Sequence, residues 1–309
     1  MIDFLKIWIY DIRQIEILYT SPLLVWSGKN EKLLPDLESI KTVVTKTYEG
    51  IIFNFDCDKL EILFKPHYYF NGNKHNANDF TIKDFLYTLN YFQQILNLDL
   101  NLCFIMNIEF GVNIISPICI KDLINYIKYH LKNEFLCNAG LSYSKFSTST
   151  NKKGILNVYK IIKAYAQGLQ HPKYCDINTF RFEIKSNRTD YIQSTLGVNT
   201  LQDLTILDPF LKMKSKIIEE FENVLILDIF ANPILNLTEQ KKFEKLLNCD
   251  SWYHFKQHKD RNKFSKNKKI YLNLIARDNN NLHLTILNSI KDKLCFLTKG
   301  AILSPPIKS

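Results

Sequence analysis

The chain has 309 residues, 46% of them hydrophobic and 23% charged, which excludes disorder as the main state and is long enough for one large domain or two ordinary ones. Forty Lys and Arg against 31 Asp and Glu give a net charge of +9, which suits a polyanionic partner. Part of that lysine content follows the Asn-, Ile-, Lys-, Phe- and Tyr-rich bias of an AT-rich genome.

No apolar run reaches the ~20 residues that span a bilayer. The strongest, Ile105 to Ile120, is broken by Glu109, Asn113 and Pro117. The N-terminus shows no basic, apolar and small-residue signal pattern, so a cytoplasmic protein with no membrane partner is expected. Cys57, Cys103, Cys119, Cys137, Cys175, Cys249 and Cys295 are scattered without a C-x-x-C pair, which reads as reduced thiols.

In chain order, residues 1–30 read as a short strand or helix with a loop. Thr42 to Phe55 is β-branched and aromatic and turns at Glu49-Gly50, predicting two strands. Leu60 to Phe64 is a further strand, and His67 to Asp79, rich in Asn, a hydrogen-bonding loop. Thr81 to Leu96 repeats its apolar residues at three and four, a helix with Thr81 as N-cap and Asp84 three residues on. Leu102 to Ile114 predicts a strand, Ile120 to Leu131 an amphipathic helix, and Asn138 to Gly154 a loop. Residues 155–169 fit a helix by apolar spacing and a strand by Val, Ile and Tyr content. Thr179 to Lys185 predicts a strand, with helices near Asp190 to Leu196, at 209–223 and at 238–249. The fold class is therefore α+β: helices packed on a mostly antiparallel sheet, with a smaller helical C-terminal region. The domains expected are 1–205 and 206–309.

Two strands carry carboxylates in apolar surroundings. Period-two alternation places Asn107, Glu109, Gly111 and Asn113 on one face of the first, and Arg181, Glu183 and Lys185 on one face of the second. A polar face bearing Glu109 and Glu183 offers hard oxygen ligands to Mg²⁺ or Mn²⁺, with Arg181 and Lys185 placed for phosphate; the alternative is a solvated face with Glu183 paired to its neighbours. His67 precedes the Asn-rich loop and is either a metal candidate or a strand-end histidine bonded to a carbonyl. No P-loop, G-x-S-x-G or H-E-x-x-H pattern is present. Seven of the fourteen residues from Lys256 to Lys269 are Lys or Arg, interleaved with Phe264, a run that suits phosphate neutralisation or a solvated helix face.

Taken in order, several segments resemble one family. They are LFKPHYYFNGNKHNANDF (63–80), IEFGVNI (108–114), KAYAQGLQ (163–170), TFRFEIK (179–185), GVNTLQDL (197–204) and Cys249 to Lys269, with Trp252 and the basic run. The chain resembles the phage and plasmid rolling-circle replication initiators of the filamentous-phage gene II/X type, common in Bacteroidetes elements. The resemblance covers about residues 60–290.

It implies a metal-dependent endonuclease and strand transferase of a bacterial host's cytoplasm. Such an enzyme nicks one strand at an origin, keeping the 5′-phosphate on a tyrosine and freeing a 3′-OH primer. It implies duplex and single-stranded DNA as partners, with a host helicase as a further one. Carried over by position, Tyr165 is the nucleophile, Lys163 a phosphate contact and Tyr159 the reserve nucleophile. Glu109, Glu183, Asn113 and His67 are metal candidates. Arg181, Lys185, Lys263, Lys266, Lys268 and Lys269 are DNA contacts. The sequence departs from the family's Tyr-[Asp/Asn]-Lys, reading Tyr165-Ala166-Gln167, so Lys160 or Lys163 must stand in for the downstream lysine. The alternatives are a non-catalytic DNA- or RNA-binding protein on a related scaffold and a metal nuclease that activates water without an adduct.

Overall fold

The computed structural model describes residues 1–33, 40–150, 154–260 and 262–299. Residues 151–153 of the predicted 138–154 loop and Arg261 of the basic run lie outside the described residues.

The chain opens with strand β1 (Ile2–Ile9) and helix α1 (Ile12–Thr20), whose N-cap Asp11 accepts from the amide of Gln14. Strands β2 (Val25–Leu33), β3 (Ile40–Tyr48), β4 (Ile51–Phe55) and β5 (Leu60–Phe64) follow. β3 and β4 form the hairpin that the sequence predicts. Tyr48 faces Ile51, and Glu49 and Gly50 take φ of 43° and 77°, the positive pair that a two-residue turn between twisted strands needs.

The predicted 67–79 loop begins instead as a short helix, α2 (Pro66–Phe70), with proline in its first turn, where a missing N–H costs nothing. Beyond it the loop is tied by reciprocal amide bonds, Asn71 Nδ2 to Asn78 Oδ1 at 2.8 Å and Asn78 Nδ2 to Asn71 Oδ1 at 3.1 Å. Helix α3 (Ile82–Leu96) has the expected Thr81 cap, completed into a box by Asp84.

After β6 (Phe104–Ile115), helix α4 (Ile120–Tyr126) stops five residues short of the predicted end. Residues 127–130 become β7 (Ile127–His130), paired to a strand almost a hundred residues on. Short β8 (Asn133–Glu134) and β9 (Leu136–Cys137) lead to β10 (Ser144–Ser147), a strand inside the predicted 138–154 loop. The ambiguous 155–169 stretch resolves as β11 (Ile161–Ala166) and one helical turn, α5 (Gln167–Gln170). Period two prevails there: Ile162, Ala164 and Ala166 are buried on one side, leaving Lys163 and Tyr165 on the other. Then come β12 (Thr179–Ser186), α6 (Thr189–Tyr191) with a wide turn closed by Gly197, α7 (Asp208–Glu222) and β13 (Val224–Ile226). Helices α8 (Leu237–Leu247), α9 (Cys249–Gln257), α10 (Lys263–Ile275) and α11 (Leu282–Thr298) complete the described chain. The predicted 238–249 helix ends early because Asn248 caps α9 by accepting from Asp250.

The fold is α+β. Ten strands form one sheet in the order β2-β3-β4-β5-β1-β6-β12-β11-β10-β9, and every pairing described in it is antiparallel. Its apolar side carries Phe64, Phe110, Phe180, Phe182 and Ile184 and is covered by α3, α7 and α11. Phe64 stacks on Phe92 of α3 at 4.4 Å between centroids, and Phe182 meets Phe221 of α7 edge-on at 5.2 Å. Thus α7 and α11, both beyond residue 206, belong to the main core. A second core under β7, β13 and β8 gathers Tyr129, Leu225, Trp252, Phe264 and Tyr271, supplied largely by α8 to α10. All seven cysteines are free thiols, and no described helix is long and apolar enough to cross a membrane.

The covered side holds one buried charge cluster. Glu220 of α7 meets His130 Nε2 at 2.8 Å, Lys160 Nζ at 2.6 Å and Lys216 Nζ at 3.1 Å. Burial raises the Glu220 pKa, but hydrogen bonds from His130 and Lys160 and the charge of Lys160 outweigh it and bring the group down to about 2. A carboxylate lowered on folding stabilises above its unfolded pKa, and the gain is lost as pH falls through the folded one. Urea melts between pH 6 and pH 2 are therefore expected to show wild type losing stability on acidification more steeply than Glu220→Gln.

Candidate active site

Three adjacent strands, β6, β12 and β11, build the polar side of the sheet. Their register stacks three rows across it: Asn113–Arg181–Tyr165, Gly111–Glu183–Lys163 and Glu109–Lys185–Ile161. Alternation turns all of these away from the helices, so the aromatic residues between them anchor one side while the charges gather on the other.

Gly111 is a spatial requirement. A Cβ there would lie 2.4 Å from the Phe182 carbonyl oxygen and 2.9 Å from Glu183 Cα, both backbone atoms that cannot step aside.

Glu183 sits at the centre, 2% exposed. Its Oε1 accepts from Lys163 Nζ at 2.8 Å, and its Oε2 from Tyr165 OH at 2.9 Å and Arg181 Nε at 3.2 Å. Lys163 reaches a second carboxylate, Glu109 Oε2, at 2.7 Å, and Lys185 takes Glu109 Oε1 at 2.6 Å. Arg181 donates through Nη1 to Asn113 Oδ1 at 2.7 Å and pairs through Nη2 with Asp3. Asp3 Oδ1 lies 3.2 Å from His67 Nδ1, whose Nε2 lies 2.8 Å from Asn78 Oδ1.

These contacts set the protonation states. Burial pushes the Glu183 pKa up, but the charges of Lys163 and Arg181 more than offset it and hold the carboxylate well below its usual range. Glu109 moves the other way: burial and the charge of Glu183 raise it against the pull of Lys163 and Lys185. For Lys163, burial favours the neutral amine, yet Glu183 and Glu109 outweigh it and lock the ammonium on. The half-buried Tyr165 phenol is driven well above 10 by burial and by the charge of Glu183. His67 is lowered to about 3, chiefly by burial and then by the neighbouring N-terminal ammonium.

The fold thus brings together Tyr165, Lys163, Glu109, Glu183, Arg181, Lys185 and Asn113, with His67 joined through Asp3. It does not bring in Tyr159, whose ring packs edge-on against Tyr191 at 5.1 Å between centroids. Lys160 serves Glu220 on the opposite side, so it cannot replace the missing lysine after Tyr165.

Sequence reading missed Asp3. A register shift in β1 between Ile2 and Phe4 makes it an extra residue, and its visible signal was one acid ahead of the alternation Leu5, Ile7, Ile9. It also missed Gln167, buried and bonded to Asn76 Oδ1 at 2.7 Å, and Tyr68, whose hydroxyl lies 3.2 Å from His171 Nε2.

Among the described residues no three His, Cys, Asp or Glu are grouped to hold a metal ion. Glu109 and Glu183 have the donor chemistry for Mg²⁺ or Mn²⁺, but the Lys163 ammonium stands between them and every oxygen of the pair is engaged. Asn113 spends Oδ1 on Arg181 and Nδ2 on the carbonyls of Asn76 and Ala77, while both His67 nitrogens face partners. As arranged, this set does not fit a divalent cation.

On the basic run, Lys263 lies on α10 with its Nζ 3.2 Å from His258 Nε2. Lys266 and Lys269 are exposed, Lys266 lying 3.5 Å from Asp260. Lys268, expected at a DNA-facing surface, is buried instead and donates to the Asn223 carbonyl.

No protein-family model matches the chain, and no curated protein matches it. Among solved structures it is similar to the rolling circle replication initiator protein from Geobacillus stearothermophilus, with a TM-score of 0.42 and 9% identity over 90% of this chain and 96% of that one.

Removing one partner of a buried ion pair leaves an uncompensated charge, which typically costs about 3–5 kcal/mol. Lys163→Met is expected to destabilise in that range by urea unfolding, and adding Glu109→Gln to recover part of the loss, because one carboxylate fewer then needs a cation.

Proposed function

We propose that this face is the catalytic centre of a rolling-circle replication initiator that nicks one DNA strand by attack of a tyrosine phenol on a phosphodiester. The observation that carries the reading is the convergence of Tyr165, Lys163, Glu183 and Arg181 from two neighbouring strands onto the polar side of the sheet. A phenol, a carboxylate to take its proton and two cations for the phosphate oxygens are the groups such a transfer uses.

In this reading Tyr165 Oη forms the new bond to phosphorus and gives its proton to Glu183, while the 3′-oxygen leaves and takes a proton from water to become the 3′-OH, so the 5′-phosphate stays on the protein. The hydroxyl already donates to Glu183 Oε2, the base within reach. With Lys163 and Arg181 on that carboxylate its basicity is low. An incoming phosphodiester competes for both cations, and each contact it takes from Glu183 makes the carboxylate a better base. Lys163, the more exposed of the two, offers phosphate a mobile point charge, while Arg181, engaged by Asp3, Asn113 and Glu183, holds Glu183 in place and reaches phosphate only by giving up one of them. The Mg²⁺ or Mn²⁺ implied by the resemblance would have to displace Lys163 from between Glu109 and Glu183. The exposed lysines of α10 supply duplex contacts, and a host helicase belongs to the same reading.

One observation favours a second reading, a non-catalytic DNA-binding protein: the resting cluster is fully satisfied, with the phenol held neutral.

Covalent capture separates the two. Labelled origin oligonucleotides are mixed with the protein under Mn²⁺ or EDTA and resolved on a denaturing gel. The expected result is an adduct keeping the label downstream of the nick, mapped by mass spectrometry to Tyr165 and reduced at least a hundredfold in Tyr165→Phe. Tight binding with no adduct and no cleavage would establish the second reading. Neutralising Lys263, Lys266 and Lys269 together is expected to lower the salt slope of duplex binding by about two to three units while leaving any adduct in place.

A further inference from the structure

The buried stripe of α10 runs Phe264, Lys268, Tyr271, Leu274, Ile275. A lysine thus occupies a position whose helical neighbours are core residues. Its ammonium has three donors, and the protein acceptor it meets is the Asn223 carbonyl.

The ionisable groups around it do not compensate the charge. His130 and His283 are both held neutral, by burial first and in part by Lys268 itself, His283 at about 4. Glu220 is committed to His130, Lys160 and Lys216. Glu222 is turned toward Lys291, 3.7 Å away. Burial without a counter-charge brings Lys268 down to about 8. Buried cations are normally paired, so this one stands where an anion is wanted.

Lys268 opens into a cavity of about 560 Å³ between α10, the β7–β8 turn and the end of α7. Lys132, Lys268 and Lys269 line it with Asn133, and Phe264 and Leu272 give it an apolar wall. Glu222 is the carboxylate among its lining residues, against three lysines. The size is within the usual range for small-ligand sites and exceeds what a bare oxyanion needs.

We propose that this cavity is a nucleotide site, in which Lys268, with Lys132 and Lys269, holds a phosphate group and Phe264 and Leu272 pack against the attached sugar or base. Lysine recognises phosphate as a point charge, and the polar wall beside an apolar one matches the two halves of a nucleotide. The phosphate comes from a free mononucleotide or from a nucleotide of a bound strand. The site lies apart from the Tyr165 cluster and does not depend on the cleavage reaction.

The test uses the full chain at fixed ionic strength, with chloride as control. dAMP, inorganic phosphate and a short oligonucleotide are titrated by calorimetry into wild type and Lys268→Met. Binding of dAMP tighter than phosphate, weakened at least tenfold in Lys268→Met, is the expected result. Equal affinity in the two proteins, or no binding beyond chloride for any of the three, would overturn the proposal. Should Lys268→Met fail to fold, wild-type Lys268 is acylated with an amine-reactive reagent at pH 8 and its modification followed by mass spectrometry. At least fivefold protection by dAMP supports a free nucleotide, and protection by the oligonucleotide alone supports a strand nucleotide. An unchanged rate with both refutes the site.

Discussion

A single buried carboxylate organises this molecule. Glu183 has almost no access to water, and taking an ionised group out of solvent costs several kcal/mol unless partners replace the hydration. Lys163, Arg181 and Tyr165 are those partners, and they come from the same strand and its neighbour. A slip of one residue between β11 and β12 would turn Lys163 and Tyr165 to the other side, leaving Glu183 with Arg181 alone. Register and charge satisfaction therefore enforce each other at the middle of the ten-stranded sheet.

The same alternation divides the sheet into an apolar and a polar side. Phe180, Phe182 and Ile184 are drawn under the helices by apolar burial, and Arg181, Glu183 and Lys185 are left opposite them. The polar cluster is thereby held at strand positions, which fix side chains more tightly than loops do. The Asn-rich segment after α2 closes one end: Asn76, Ala77 and Asn78 bond to Asn113, Gln167 and His67. Asn71 and Asn78 hold that segment in shape.

A half-buried and a buried lysine show opposite solutions to the same problem. Lys163 lies between two carboxylates, and its charge is strengthened by them. Lys268 has a carbonyl and two neutral imidazoles nearby, and burial weakens its charge. The first cluster is electrostatically complete as it stands. The second is short of one anion, beside a cavity large enough to admit it.

Local pattern was enough for much of this. The Glu49-Gly50 turn, the Thr81 cap, the helices over 82–96 and 208–222 and the shared face of Glu109 and Asn113, like that of Arg181, Glu183 and Lys185, follow from periodicity and turn chemistry within a few residues. Pairings with distant segments were beyond it. The 127–130 strand depends on residues 224–226, and the choice of strand for 161–166 depends on β10 and β12 on either side.

The sequence by itself determined that Glu109 and Glu183 stand on polar strand faces, because side-chain direction in a strand is set by the backbone alone, whereas the strand that carries Lys163 and Tyr165 needed its neighbours to be settled. Only the tertiary structure decided that those faces are one face and that Asp3 joins it. The same holds for Lys163, which fills the place between the two carboxylates, and for Lys268, which points inward rather than toward solvent. Each of these is a matter of which distant strand or helix lies alongside, and burial and charge pairing are properties of that neighbour as much as of the residue.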